Sequence, residues 1–135
     1  MENYKEGSDL PVQSFRNISK EQVLTYANVS GDMNTIHLNR EAARHSGFDR
    51  EVVQGMWSMG IVTASIHRWF GPQSFIKEFT CRFTSPMIIG DSLLVCGSVV
   101  TVTAVDIEIS IEGVNQEGST ILKNRAIVRR KVHEG

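Results

Sequence analysis

The sequence predicts one α+β domain in which an antiparallel sheet wraps around a buried helix. In the first half of the chain, apolar residues recur at helical spacing, and from residue 75 onward they alternate with polar residues as in half-buried strands. Residues 55–70 are apolar almost all the way round, which indicates a helix buried on most sides. Helices followed by a block of strands are typical of the α+β class. The length of 135 residues, 41% of them hydrophobic, fits a single domain.

Cap residues mark the boundaries of the predicted helices. Ser19 and Gln22 form a capping-box pattern, in which each side chain can bond to the other residue's backbone N–H. A helix therefore begins there, and we expect it to end by Gly31. Asn39 is placed to cap a second, short helix over Arg40–His45.

The predicted strands rest on alternation and on turn residues. Residues 1–10 are polar and are expected to form a loose lead-in to a short edge strand at 12–18. Gly71 and Pro72 end the apolar helix, after which the pattern changes to period two. Long strands are then predicted at 75–83, 92–105, 107–111 and 121–132, and turns are predicted near 86–91 and 115–118.

Composition excludes several classes of function. A formal net charge of -1 lacks the basic excess of a nucleic-acid-binding domain. The longest apolar run is too short to span a bilayer, and the polar start does not resemble a signal peptide. Cys81 and Cys96 lie in strand-like stretches and are interpreted as core residues of a reduced, cytoplasmic protein. The four histidines are too scattered to predict a metal site.

The segment from Ser30 to Asn39 carries the strongest chemical signal. It places Asp32 and His37 five positions apart, in a turn-forming stretch between two helices. A carboxylate and an imidazole that face one small space can hold a water molecule and move its proton. The spacing alone leaves a plainer interpretation open, because Asp and Asn near a Gly are common turn residues and a lone His is often structural.

Several separated motifs occur in a fixed order along the chain. They are Tyr26-Ala27-x-x-Ser30-Gly31-Asp32-x-Asn34-x-Ile36-His37-x-Asn39-x-x-x-Ala43, then Gly47-Phe48, Gly55-Met56, and Arg82-Phe83-x-x-Pro86-x-x-x-Gly90-Asp91. These motifs resemble those of one family, the MaoC-like R-specific enoyl-thioester hydratases and dehydratases, and the resemblance covers roughly residues 15–130. Two details, Met59-Gly60-Ile61 and Trp69-x-Gly71, also resemble the B subunit of the mycobacterial 3-hydroxyacyl-carrier-protein dehydratase.

The resemblance implies a hot-dog fold, in which a long sheet wraps a central helix, and a role for four residues. Asp32 and His37 would hold the catalytic water, and Asn34 would orient them. The backbone N–H of Gly55, at the start of the central helix, would polarise the thioester carbonyl. That role suits a helix N-terminus, which offers unsatisfied donors and a partial positive charge. The division of acid and base roles between Asp32 and His37 stays open, because closely coupled groups share a proton.

Five further residues are candidates for binding the substrate, each with a plainer alternative. Thr35 and Gln54 depart from the family pattern, which has Pro and His there, and we expect Gln54 to hydrogen-bond in place of the usual His. The apolar residues of the central helix are more often core than acyl tunnel, Thr63 is as readily a packing residue, and Arg82 can simply face solvent. The candidates are Gln54, Met56, Trp57, Thr63 and Arg82.

The resemblance implies reversible hydration of trans-2-enoyl thioesters to R-3-hydroxyacyl thioesters. The alternatives are a hot-dog acyl thioesterase and a non-catalytic acyl-thioester-binding subunit of a heterodimer. No metal or organic cofactor is expected, because coenzyme A or phosphopantetheine enters as part of the substrate. The expected partners are the acyl thioester, a second copy in a homodimer (or a heterodimer or higher oligomer), and an acyl carrier protein; nucleic acid and membranes are not expected.

Overall fold

The computed structural model describes residues 4–129 and has an α+β architecture, as the sequence predicts. Short helices and one long helix precede four long strands. In chain order the elements are β1 (Gln13–Phe15), α1 (Lys20–Ser30), α2 (Thr35–Leu38), α3 (Arg40–His45), α4 (Gly55–Phe70), β2 (Phe75–Phe83), β3 (Leu93–Val102), β4 (Asp106–Val114) and β5 (Thr120–Arg129).

The five strands form one antiparallel sheet in the order β1-β3-β4-β5-β2. The chain leaves α4 at Phe70 and returns as β2 from Phe75, so β2 runs back along the helix and joins the sheet as an edge strand. The end of β2, at Phe83, is therefore brought back to the start of α4, at Gly55. This return places the last residues of a strand beside a helix N-terminus.

The hydrophobic core lies between α4 and the inner face of the sheet. Alternate residues of β3, β4 and β5 are buried, which is the period-two pattern of strands with one covered face. Val62 and Ile66 of α4 are fully buried against them. The sheet thus wraps the helix as expected. The opposite side of α4 is open, however, because Met56, Gly60, Ala64 and Arg68 are exposed.

The local signals for α1 and α3 are confirmed. Ser19 accepts from the backbone N–H of Gln22, and the Gln22 side chain accepts from the backbone N–H of Ser19, which completes the capping box. Gly31 ends α1 in the left-handed region, with φ of 78°. Asn39 accepts from the backbone N–H of Ala42 and caps α3. Each helix boundary therefore follows from a side chain that replaces a missing backbone partner.

Two local features differ from the sequence prediction. From Tyr4 onward the lead-in is not loose, because it runs along β3 through the bonds Gly7 N–H to Val99 O and Leu10 N–H to Gly97 O, each of 2.8 Å. The four-residue helix α2 was not expected at all. The predicted last strand extends to residue 132, and its final residues lie outside the described part of the chain. None of the helices between residues 4 and 129 is long and apolar enough to cross a membrane.

Candidate active site

His37 is held on the short helix α2 by two sets of contacts. The side chain of Asn34 accepts a hydrogen bond from the backbone N–H of Ile36 at 3.2 Å, which caps the helix. The His37 side chain is 10% exposed, and its Nδ1 lies 2.6 Å from the carbonyl oxygen of Val52. A carbonyl oxygen can only accept, so Nδ1 carries the proton. In the neutral ring, Nε2 therefore has a free lone pair.

Asp32 faces that lone pair from the loop between α1 and α2. Its Oδ2 lies 3.5 Å from His37 Nε2, and its side chain is 45% exposed. The backbone N–H of Asp32 donates to Ser30 Oγ at 3.2 Å, and Asp32 Oδ1 accepts from the backbone N–H of Asn34 at 3.4 Å. The loop thus fixes one carboxylate oxygen and leaves the other facing the imidazole. Asn34 serves both groups, through its backbone for Asp32 and through its cap for the helix of His37.

The opposite wall of the site is an extended segment that precedes α4. Val52 N–H donates to Ile36 O at 2.9 Å, and Val53 N–H donates to Met87 O at 2.7 Å. Gln54 is 1% exposed, and its side-chain amide donates to Val23 O of α1 at 3.0 Å. These bonds tie the segment to α1, to α2 and to the loop before β3. The start of α4 is therefore placed relative to His37 by hydrogen bonds on three sides, two from the backbone and one from the Gln54 side chain.

A pocket of about 360 Å³ lies between His37 and the start of α4. Gly55 is the first residue of α4, and its N–H has no intrahelical acceptor. A Cβ atom at Gly55 would lie 3.1 Å from Cε1 and Cζ of the Phe83 ring, so glycine lets the ring approach the helix start. The pocket is mostly apolar and is lined by His37, Val52, Val53, Gly55, Ser58, Phe83, Thr84, Ser85, Pro86, Met87 and Ile121.

The structure brings His37 and Gly55 into this pocket, with Asp32 beside His37, but it places the predicted substrate-binding residues elsewhere. Gln54 is buried behind the pocket. Met56 is 55% exposed, and Trp57 lines a separate groove of about 470 Å³ against α1. The Thr63 hydroxyl donates to Gly60 O of its own helix at 2.9 Å. Arg82 is exposed on β2, where it pairs in register with Lys123 of β5.

Sequence reasoning missed the residues that form most of the pocket wall. Ser58, one turn into α4, is 2% exposed and lines the pocket. Ser85 and Met87 lie in the segment after β2, where the sequence indicated only a turn. Phe83 was assigned to a half-buried strand, and its contact with Gly55 is not local in sequence. The motif Arg82-Phe83-x-x-Pro86 was the one available signal for this wall.

Behind the site, Glu51 is a buried carboxylate whose side chain is 2% exposed. Its Oε2 lies 3.6 Å from Lys20 Nζ, and its Oε1 lies 3.7 Å from Arg50 Nε. Burial raises the pKa of Glu51, but its own backbone hydrogen bond and the charges of Lys20 and Arg50 outweigh that effect and leave the pKa below its usual value. Glu51 therefore stays ionised and ties the start of α1 to the segment that carries Val52.

Within residues 4–129, no group of three or more His, Cys, Asp or Glu side chains is arranged to hold a metal ion. The groups that the described residues bring to the pocket are an acid–base pair and a helix N-terminus. A carboxylate and an imidazole can exchange a proton with water, and the helix start can accept developing negative charge.

Most of the chain matches a known protein family. Residues 4–120 match the family model described as "MaoC like domain". The chain belongs to the MaoC-like family. The match covers Asp32, His37, Gly55 and every pocket-lining residue except Ile121, and it confirms the resemblance seen in the sequence. The hot-dog fold predicted from that resemblance is likewise confirmed by solved structures that share it.

Curated relatives and one solved complex illustrate the family. The chain is 30% identical over 103 residues to an (R)-specific enoyl-CoA hydratase from Rhodospirillum rubrum, covering 76% of this chain and 68% of that protein. It is 34% identical over 79 residues to a mitochondrial 3-hydroxyacyl-[acyl-carrier-protein] dehydratase from Arabidopsis thaliana, covering 58% and 47%. The chain thus spans about half the length of the first curated relatives it matches. The ChsH1-ChsH2 complex from Mycobacterium tuberculosis shares the fold, with 21% identity, a TM-score of 0.85 and coverage of 94% and 98%.

Proposed function

We propose that this protein catalyses the reversible hydration of trans-2-enoyl thioesters to R-3-hydroxyacyl thioesters. The observation that carries the proposal is the approach of Asp32 Oδ2 to Nε2 of His37, at 3.5 Å, beside a pocket that also contains Gly55. Membership of the MaoC-like family supports it. The relatives from R. rubrum and A. thaliana are named as a hydratase and a dehydratase, which are the two directions of this reaction.

In the proposed site, one water molecule is bound by both members of the pair. The separation of 3.5 Å between Asp32 Oδ2 and His37 Nε2 is too long for a strong direct hydrogen bond. In the neutral ring, with its proton on Nδ1 and bound to Val52 O, Nε2 of His37 and the Asp32 carboxylate are both acceptors. A water molecule next to both atoms would donate one hydrogen to each. Its oxygen lone pairs would then point away from the pair, toward the substrate.

The proposed reaction needs no redox or metal chemistry. The water oxygen forms a bond to the β carbon, while one of its O–H bonds breaks and the pair takes the proton. The π electrons of the double bond move through the α carbon to the thioester oxygen, which becomes an enolate. The N–H of Gly55 would donate to that oxygen, as preorganised backbone donors do in oxyanion holes. The proton then returns to the α carbon, and dehydration is the same sequence in reverse.

The pocket supports an acyl substrate. Its lining is mostly apolar and includes Val53, Phe83, Met87 and Ile121. The polar side chains in the lining are His37 and the hydroxyl-bearing Ser58, Thr84 and Ser85. We propose that the acyl group is delivered as a thioester of coenzyme A or of an acyl carrier protein, whose pantetheine would remain outside this pocket. No further cofactor takes part in this proposal.

We also propose that the protein works as a dimer. β2 is an edge strand, and its first residue, Phe75, is 61% exposed. An open edge with an exposed aromatic residue is a ready site for pairing with another chain. A second copy of this chain is the proposed partner. Light scattering tests this proposal, since a monomer at working concentration would contradict it.

A cytoplasmic location stays a prediction, with which the unpaired Cys81 and Cys96 agree.

The proposal is tested by incubating the protein with enoyl-coenzyme A and enoyl-carrier substrates of graded length. We expect the conjugated thioester absorbance to fall and the product to have R configuration. An S product, or full activity in Asp32→Asn or His37→Ala, would contradict the assignment. Release of free thiol, detected with a thiol reagent, would instead indicate a thioesterase. Activity that appears only after a second hot-dog chain is added would indicate a non-catalytic subunit.

A further inference from the structure

Asn124 of β5 has a buried side-chain amide. Its side chain is 6% exposed, and neither Oδ1 nor Nδ2 has a partner among the residues from Tyr4 to Arg129. Buried amides are nearly always hydrogen-bonded, because an unsatisfied group loses its contacts with water and gains nothing in return. An amide in this state is costly for the fold, so its partner is expected to be a molecule that binds the protein.

The amide faces the layer between the sheet and α4. On β5, Asn124 alternates with exposed residues and lies on the same face as Leu122 and Ala126, both of which belong to the core. Its register partners are Cys81 on β2 and Ile111 on β4. Leu122, Ala126 and Ile111, its neighbours on this face of the sheet, are all apolar.

The register of the sheet places Asn124 one residue pair away from the active-site pocket. Phe83, which lines the pocket, is the register partner of Leu122, and the pair Cys81–Asn124 is the next one on the same face. Residues two apart on a strand are separated by about 6.5–7 Å. The Phe83 ring packs against the helix start at Gly55 and is 49% exposed. An acyl chain that reaches Asn124 from Gly55 would require this ring to change rotamer, which exposed side chains do readily.

We propose that Asn124 determines substrate specificity by binding an oxygen atom on the distal part of the acyl chain. This inference rests on the proposed hydratase function. A plain alkyl chain would leave the amide unsatisfied, whereas a hydroxyl group both donates and accepts and so matches both amide atoms. The distance of about 6.5–7 Å between residues two apart on a strand corresponds to roughly five carbon–carbon bonds of an extended acyl chain, counted from the reacting atoms. The substrate class is therefore enoyl thioesters of medium-length acyl chains that carry a distal hydroxyl or carbonyl group.

The test compares trans-2-decenoyl-coenzyme A with its 8-hydroxy and 8-oxo derivatives. We expect the wild-type protein to favour an oxygenated substrate by at least about tenfold in kcat/KM, mostly through KM, because a site built to hydrogen-bond a group rejects the analogue that lacks it. Asn124→Leu has similar volume and no polar atoms, so it should reverse the preference. Asn124→Ser replaces the amide with a smaller polar group, a hydroxyl, and should retain part of the preference for oxygenated substrates.

The ratio between substrates separates recognition from a structural role, since a general loss of folding would lower both rates alike. Equal kcat/KM for plain and oxygenated chains in the wild-type protein would overturn the inference and leave the hydratase function standing. The same substrate ratio in the wild type and in Asn124→Leu would also overturn it, and would assign the amide to a buried water. Hydration of neither substrate would contradict both proposals. If Asn124→Leu does not fold, the wild-type ratio and Asn124→Ser decide.

Discussion

The replacement of Gly55 by alanine should impair the start of α4 while leaving the fold intact. The added Cβ would lie 3.1 Å from two carbons of the Phe83 ring, whereas carbon atoms in good contact are about 3.5–4.0 Å apart. Either the helix start or the ring must therefore move by about half an ångström. A shift of the helix start moves the proposed oxyanion donor, and a shift of the ring narrows the pocket.

The magnitude follows from what each shift does to the reaction. Loss of an oxyanion donor costs about a hundredfold or more in kcat, and misplacement by about 1 Å costs a similar amount. A shift of half that size should lower kcat/KM by between about tenfold and a hundredfold. The half-exposed ring takes up part of the strain, so the melting temperature should change little.

Gly60→Ala is the matched control for this experiment. Gly60 lies in the same helix, and a Cβ there would have nothing within 4 Å. Alanine is preferred to glycine in a helix interior by about 1 kcal/mol, so the control should be as active as the wild type and slightly more stable. The assay is the loss of enoyl-thioester absorbance for both variants, with thermal melts in parallel. Wild-type kcat/KM in Gly55→Ala would refute the assignment of the helix start.

Two further predictions concern the supports of the site. Asn34→Ala removes the cap of α2, which should lower the free energy of unfolding by about 1 kcal/mol and also lower kcat, because His37 is carried by that helix. Urea titration measures the stability and the hydration assay measures kcat. A loss of stability without a loss of kcat would contradict the link between the cap and His37. Because the pKa of Glu51 is lowered in the folded state, its ionisation stabilises the protein at neutral pH, and this stabilisation disappears as the pH falls below about 4. In Glu51→Gln the free energy of unfolding should therefore be reduced at neutral pH and depend less on pH in the acid range, whereas parallel pH profiles for both proteins would argue against this role.

The parts of the fold that depend on neighbouring residues could be predicted from the sequence. The capping box at Ser19, the glycine end of α1 and the Asn39 cap are each decided within a few positions, and the structure confirms them. Alternation predicted the long strands because one face of the sheet is covered by α4.

Contacts between distant residues could not be predicted in this way. The carbonyl of Val52 fixes the His37 tautomer across 15 positions, and nothing in the local sequence marks a backbone oxygen as a partner. The approach of Phe83 to Gly55 requires β2 to return along α4. The lead-in was predicted to be loose because it is polar, yet its backbone hydrogen bonds to β3 do not depend on side-chain polarity. The inner position of Asn124 broke the apolar pattern of its strand, and its unsatisfied amide became evident only in three dimensions.

The central claim is that Asp32 and His37 act together on one water molecule, and a double-mutant cycle tests it most directly. The measured quantity is kcat/KM for a trans-2-enoyl-coenzyme A in Asp32→Asn, His37→Ala and the double variant. Each single variant should lose at least about a hundredfold, the range expected for general acid–base catalysis. Because residues that act as a unit are strongly non-additive, the double variant should be no slower than the slower single variant. Losses that multiply in the double variant, or a single variant near the wild-type rate, would contradict the claim.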